Sequence, residues 1–452
     1  MNKYTPVIGL EIHVELKTKS KMFCQCEADY FGKEPNTNTC PVCLGMPGAL
    51  PVPNRQAVDW TIKIGQALGC TINKHSKFDR KHYFYPDLPK GYQISQYDEP
   101  IAINGKLEMR NEKLGVTKIF GITRVHLEED TGKLTHAGDD TLVDFNRSSV
   151  PLVEIVTEPC FDNSQDVKVF LEELHTIIRY LEVSDADMEK GSMRMEPNIS
   201  LSVMKPSDQV IKGSKRQLPN YKVEVKNINS FNFAKRAIDY ELTRQAEILD
   251  KGETPSQETR GYNEAKGITY SQRSKEEAQD YRYFPEPDIP PMIFDTDELQ
   301  KIKDELPELP SAKCERYIAD LGLKYDDAFL LTRNRAGAQY FEEVVGEIAS
   351  NPDISPQVVA NAIINIKIST SLSPKDFAQK LIEMSKPIEV DEGVLNNAID
   401  NVLARSAAQI AQYKSGKTGL MGFFIGQVMQ EMKGKADASI VKTKIEEKLK
   451  EN

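Results

Sequence analysis

The sequence contains no apolar run near the roughly 20 residues needed to cross a bilayer, which argues against a membrane-spanning protein. The start, Met1-Asn2-Lys3-Tyr4-Thr5-Pro6, has neither an apolar secretory core nor an Arg/Ser-rich transit segment. A cytoplasmic location is therefore expected, where thiols stay reduced, so the seven cysteines are read as metal ligands or buried thiols rather than disulfides. Internal repeats and low-complexity tracts are absent, which argues against a solenoid or a disordered chain. Positive charge is not in excess: the formal net charge is -10, unlike a protein that coats nucleic acid without specificity. Phosphate-binding glycine loops are missing too. Gly416-Lys417-Thr418 lacks the earlier glycine of a P-loop, because position 411 is Ala411, and no G-x-G-x-x-G opens a helix after a strand.

What is present suits a globular chain of two or three domains: 452 residues, 39% hydrophobic and 28% charged. From Arg405 to Asn452 there are nine Lys/Arg against five Asp/Glu, leaving -14 on the rest. An acidic body with a basic tail can still hold RNA through the tail.

The chain up to about Phe294 reads mainly as strands. Val7 to Leu16 alternates strictly, with Ile8, Leu10, Ile12, Val14 and Leu16 on one face and Gly9, Glu11, His13 and Glu15 on the other. Met193 to Val203 alternates likewise and puts Arg194, Glu196 and Asn198 on its polar face. Two helices interrupt, one from Ser164 as N-cap and one from about Phe233 to Asp250, ending near Gly252. Beyond Asp295 helical segments follow one another, and Lys386-Pro387 marks a further boundary before a short helical tail.

Cys24-x-Cys26 and Cys40-x-x-Cys43, thirteen residues apart, have the spacing of a tetrahedral Zn²⁺ site. Four thiolates leave no open position, so such a metal is structural. Glu11-x-His13-x-Glu15 points alternate residues the same way, about 6.6 Å apart, and offers oxygen and nitrogen ligands to a hard divalent cation. A solvent-facing strand with a chance histidine fits that spacing equally well. A second acidic cluster, His126-Leu-Glu128-Glu129-Asp130, ends another strand. The loops Tyr83 to Gln93 and Asp280 to Asp288 combine aromatics with Lys or Arg and suit a nucleotide or an RNA end; a Pro-rich turn packed by tyrosines is the plainer reading.

Taken together, Val7 to Leu16, Lys81-His-Tyr-Phe-Tyr-Pro-Asp87, Tyr92 to Gln96, Arg124 to Asp130, Glu189 to Arg194, Val225-Lys-Asn-Ile-Asn-Ser-Phe231, Asp280 to Asp288, Tyr413 to Lys417 and Gly422 to Val428 resemble, in this order, the B subunit of the tRNA-dependent amidotransferases. The resemblance implies an α+β fold: an antiparallel-sheet cradle at 1–294 carrying the zinc knuckle at 24–43, an all-α helical domain at 295–387, and a small helical tRNA-binding tail at 388–452. It implies ATP- and Mg²⁺-dependent phosphorylation of the side-chain carboxylate of Glu-tRNA(Gln) or Asp-tRNA(Asn), then attack by ammonia. The ammonia is expected from an amidase (glutaminase) partner, the A subunit of such complexes, joined by a small C subunit, because this chain shows no glutaminase nucleophile of its own.

By that resemblance Glu11, His13, Glu129 and Glu196 hold Mg²⁺ and act in catalysis, with Glu128, Lys226 and Asn227 as neighbours. Lys81, Tyr83, Tyr85, Lys90 and Arg194 are the expected nucleotide contacts. Strand alternation groups Glu128, not Glu129, with Arg124 and His126; a bulge or the strand's end would reconcile the two. Two departures stand out. Met195-Glu196-Pro197-Asn198 replaces the family's usual Cys-Asp-Ala-Asn, and the segment around Ser385 to Val390 is short. A non-catalytic zinc-containing RNA-binding protein remains the alternative, and a free-standing metal-dependent phosphotransferase is opposed by the basic tail.

Deleting the residues after Pro387 is predicted to weaken tRNA binding and flatten its salt dependence, since the basic residues lie there. Filter binding across a salt series checks this; unchanged affinity would place the RNA contacts in the body.

Overall fold

The computed structural model describes residues 3–111, 116–203, 218–274, 281–385, 392–432 and 436–451. The expected boundary at Lys386-Pro387, most of the short segment from Ser385 to Val390, and Asp280 lie outside them.

Among the described residues nine strands form the main sheet: β1 Tyr4–Glu15, β2 Thr71–Ile72, β3 Ala102–Asn111, β4 Val116–Glu129, β5 Pro151–Thr157, β6 Met193–Val203, β7 Val223–Lys226, β8 Glu258–Asn263 and β9 Ile268–Ser274. Their spatial order is β9-β8-β7-β6-β1-β5-β4-β3-β2, which places β1 centrally between β5 and β6. Every pairing is antiparallel except β7 with β8, so the expected antiparallel sheet is mixed at one place. A parallel pair needs a long crossover. Helix α3, Phe231–Asp250, lies in the chain between those two strands.

The two-residue period of β1 is realised as written in the sequence. Ile8, Leu10, Ile12 and Val14 are buried in one hydrophobic core with Val58 and Ile62 of α1 (Arg55–Ala67), Phe170, Leu174 and Ile177 of α2 (Ser164–Tyr180), and Ala234 and Ile238 of α3. Phe120, Phe161 and Phe170 pack ring to ring there, with centroids 4.7 to 5.7 Å apart. Helix α2 is capped one residue earlier than the sequence suggested. Asn163 accepts the Asp166 N–H at 2.8 Å, while the Ser164 hydroxyl turns to Asp239 instead. Ser230 caps α3 by accepting the Phe233 N–H at 3.1 Å, so the helix begins at Phe231, two residues before the expected start, and Gly252 closes its end at φ +81°.

Helices then take over, as expected: α4 Thr296–Asp304, α5 Pro310–Ala319, α6 Tyr325–Leu331, α7 Arg335–Ile348, α8 Pro356–Ile364, α9 Pro374–Ser385, α10 Glu392–Arg405, α11 Ala407–Lys414, α12 Met421–Glu431 and α13 Ala438–Glu451. The described chain divides into two compact units at Gln339/Tyr340. Residue 294 marks a change from strands to helices within the first unit, because Leu299 and Ile302 of α4 still pack on the sheet's core. In the second unit Leu395, Ile399 and Val402 of α10 share a core with Phe424 and Val428 of α12 and Val441 and Ile445 of α13. No helix among the described residues is long and apolar enough to cross a membrane.

Phe170→Ala removes the ring at the centre of the aromatic triad and is predicted to lower stability of the first unit by about 3–5 kcal/mol. Urea titration of the variant against the parent checks it.

Candidate functional site

Sheet register decides which polar side chains meet. Across β1 and β6, Glu11 faces Glu196 and His13 faces Arg194. Across β1 and β5, His13 faces Glu154. Glu154 in turn faces His126 of β4, and Asn198 of β6 faces Glu224 of β7. One face of five adjacent strands is thereby lined with carboxylates and two imidazoles.

These groups form two clusters in which the candidate ligand atoms lie within 4.8 Å of one another: Glu11, Glu196 and Glu224; and His13, Glu128 and Glu154. In the first, Asn198 Nδ2 donates to Glu11 Oε1 at 3.0 Å, and its own Oδ1 is buried without a partner. Lys226 Nζ lies 3.1 Å from Glu196 Oε2 and 3.4 Å from Glu224 Oε1, and Lys222 Nζ lies 3.8 Å from Glu11 Oε1. The extra methylene of Glu196, relative to the family's usual Asp, still delivers its carboxylate to the cluster. Burial raises the Glu196 pKa above the ordinary carboxylate range, against the pull of Lys226.

In the second cluster His13 Nε2 is 3.7 Å from both Glu128 Oε1 and Glu154 Oε2, too far for hydrogen bonds, and Nδ1 is buried without a partner. His126 Nε2 sits 3.1 Å from Glu154 Oε2, and the Ser95 hydroxyl donates to Glu128 Oε2 at 2.9 Å. Burial works against the charge on His126, but Glu154 and Glu128 outweigh it and raise its pKa. Burial would also push Glu154 up; His126 instead holds it well below the usual range. The half-buried Lys81 adds positive potential at Glu128 and Glu154. Three oxygens in one cluster, and one nitrogen with two oxygens in the other, are donor sets for hard divalent cations. The orphaned Asn198 and His13 atoms fit that use.

Other expected residues fall elsewhere. Glu129 joins neither cluster; Lys90 Nζ lies 2.6 Å from its Oε1, and the Ile94 N–H donates to the same oxygen at 2.9 Å. Alternation without a bulge groups Glu128 with His126. Lys90, an expected nucleotide contact, is thus engaged by Glu129. Arg194 is engaged by Asp130 at 2.8 Å and Glu15 at 3.6 Å. Burial, then Asp130, pushes Glu15 up to about 8. Lys81 stands over the Tyr83 and Tyr281 rings, with its ammonium 5.8 and 5.1 Å from their centroids. Tyr85 is exposed, as is Phe84 beside it. Asn227 lies outside both clusters, at φ +62°, and lines a cavity of about 500 Å³ with Asn229 and Asn263.

Glu154, Glu224 and His126 were not singled out as site residues from sequence. A signal existed for two of them: Glu154 is the lone carboxylate in Pro151-Leu-Val-Glu-Ile-Val-Thr157, and Glu224 alternates with Val223 and Val225.

Cys24, Cys26, Cys40 and Cys43 bring their sulfurs within 4.8 Å of one another. The Cys40–Cys43 separation is 3.8 Å, matching the roughly 3.8 Å edge of a tetrahedron with about 2.3 Å Zn–S bonds. The Cys40 N–H donates to Cys43 Sγ at 3.1 Å, as in a metal knuckle. The Cys24 thiol, above all, and this N–H hold the Cys43 pKa down to about 5. Lys21, fully buried, places Nζ 3.8 Å from the same sulfur and donates to Asn38 O at 2.8 Å. The thiols fit Zn²⁺.

Residues 6–300 match the family described as the GatB/GatE catalytic domain, and residues 336–449 match the GatB domain family. The chain is 44% identical to the B subunit of the aspartyl/glutamyl-tRNA(Asn/Gln) amidotransferase of Thermotoga maritima, over 97% of each chain. Proteins of the same name from Syntrophotalea carbinolica and Caldicellulosiruptor saccharolyticus are likewise 44% identical, over 99% of each chain.

Cys40→Ser is predicted to lower bound zinc from about one ion per chain and to lower thermal stability with it, because binding energy at such a site is folding energy. Elemental analysis beside a thermal melt tests this; full stability in metal-free protein would overturn it.

Proposed function

The chain belongs to the family of aspartyl/glutamyl-tRNA(Asn/Gln) amidotransferase B subunits, and we propose that its cradle activates a misacylated tRNA's side-chain carboxylate with ATP and passes it to ammonia. The observation that carries the proposal is the pair of three-ligand clusters on one sheet face.

The reaction joins two anions. A carboxylate oxygen attacks the γ-phosphorus of ATP, ADP departs, and an acyl phosphate forms. The lone pair of ammonia then attacks the carbonyl carbon, a proton is shed, and inorganic phosphate leaves with the electrons of the broken C–O bond. Mg²⁺ held by Glu11, Glu196 and Glu224, and by His13, Glu128 and Glu154, would shield the anions from each other and stabilise charge on the transferring group. Lys81, Lys222 and Lys226 add positive charge around that face. The strands hold the ligand carboxylates and the His13 imidazole in place before substrate arrives, so little reorganisation of the ligands is needed at the moment of transfer. Exposed Phe84 and Tyr85 offer stacking surface for a base of the nucleotide or of the tRNA's acceptor end. The zinc knuckle takes a structural role, since its four thiolates leave no ligand position open.

In the second unit, Lys414 and Lys417 are exposed at and just beyond the end of α11 and suit phosphate contacts with tRNA. Ammonia would come from the glutaminase A subunit, with the small C subunit completing the assembly in the cytoplasm. Both Glu-tRNA(Gln) and Asp-tRNA(Asn) fit the chemistry.

Glu11→Gln keeps shape but removes a ligand charge, and His13→Ala removes the nitrogen ligand. Each is expected to cut tRNA-dependent ATP hydrolysis and amidation at least about a hundredfold. Glutaminase activity of the assembled complex should persist, as should tRNA binding. Amidation near the parent rate in Glu11→Gln would reduce this face to a solvated strand.

A further inference from the structure

Lys226 shares its two closest carboxylates with the first candidate metal cluster. Its ammonium is 3.1 Å from Glu196 Oε2 and 3.4 Å from Glu224 Oε1. Three glutamates with ligand oxygens within 4.8 Å repel one another strongly at neutral pH. The neighbouring cations offset that repulsion, and Lys226 is the better placed: Lys222 reaches only Glu11, at 3.8 Å. A divalent ion bound to the three glutamates draws on the same two carboxylates that Lys226 touches. It also stands within a few ångströms of the ammonium, where like charges repel.

From this geometry we infer that Lys226 is a tethered counter-ion of the Glu11–Glu196–Glu224 cluster, which a divalent cation exchanges and so releases toward the anionic substrate. The inference rests on the metal reading given above. Two features make the exchange feasible. The Lys226 side chain keeps 39% of its exposure, so it has solvent into which it can move. Its flexible four-carbon stem carries a compact charge on rotatable bonds, so it can leave the carboxylates without moving the strand. Lys226 is also the last residue of β7, immediately before Asn227 at φ +62°, where the chain turns out of the sheet. The released ammonium remains on the polar face, close to where phosphoryl charge develops. One lysine thus guards the cluster without metal and serves the nucleotide with it. This role is positioning: Lys226 acts first through the glutamates and only then on the substrate.

The signature is an opposition between metal affinity and turnover. In the assembled complex, Lys226→Met should bind Mn²⁺ about tenfold more tightly at this cluster, a change limited by partial exposure of the ammonium. It should also hydrolyse ATP more slowly in the presence of misacylated tRNA. Lys226→Arg keeps a tethered cation and should retain the parent's Mn²⁺ affinity. Mn²⁺ binding followed by electron paramagnetic resonance reads the first quantity, and phosphate release reads the second. Mn²⁺ affinity that is unchanged or weaker in Lys226→Met, while Glu196→Gln abolishes one bound Mn²⁺, would overturn the exchange and leave the metal reading intact. A Mn²⁺ stoichiometry identical in the parent and Glu196→Gln would overturn the metal reading itself.

Discussion

Everything at the candidate site depends on the pairing register of β1. Glu11 and His13 meet Glu196 and Glu154 because β1 lies antiparallel between β5 and β6 in one fixed alignment. A slip of one residue would turn Ile12 and Val14 to the polar face and bury the acids. That slip is opposed by the full apolar stripe of β1, which sits in the core with α1, α2 and α3. Burying one such side chain contributes about 1.5–3 kcal/mol, so several acting together leave the alternative register without weight. The hydrophobic face therefore sets the geometry of the charged one.

Charge imposes the second condition. Grouping this many carboxylates out of bulk water is unfavourable unless cations accompany them. The chain supplies them from separate elements: Lys226 at Glu196 and Glu224, Lys90 at Glu129, and Arg194 and Arg147 at Asp130. Lys81, half-buried near Glu128 and Glu154, comes from a short strand outside the main sheet. The clusters with candidate ligand geometry are those in which His13 Nδ1 and Asn198 Oδ1 remain without partners. Around Glu129 and Asp130, protein groups already take the carboxylate oxygens.

The sequence made one-strand properties legible. Alternation in Val7–Leu16 and Met193–Val203 gave both faces, and the cysteine spacing gave the thiol cluster. It also grouped Glu128 with His126, where the family resemblance favoured Glu129. Glu154 and Glu224 escaped because their significance lies in which strand sits beside which, and pairing between distant strands leaves no local periodicity. The parallel β7–β8 pair escaped for the same reason. Helix starts moved by one or two residues because Asn163 and Ser230 compete as caps with nearby polar residues. The unit boundary was not visible at residue 294 because α4 changes the secondary structure while staying on the same core.

The central place of β1 has a consequence during synthesis. Its partner in β6 extends to residue 203, so the first strand made waits for one of the later ones. At about 5–20 residues per second, translation from Glu11 to Glu196 takes roughly 10–40 s. Until β5 is made, both hydrogen-bonding edges of β1 are open, and the edge that β6 covers stays open through the rest of that interval. The order of the strands along the chain, rather than the stability of the finished fold, thus sets how long that edge waits for its partner.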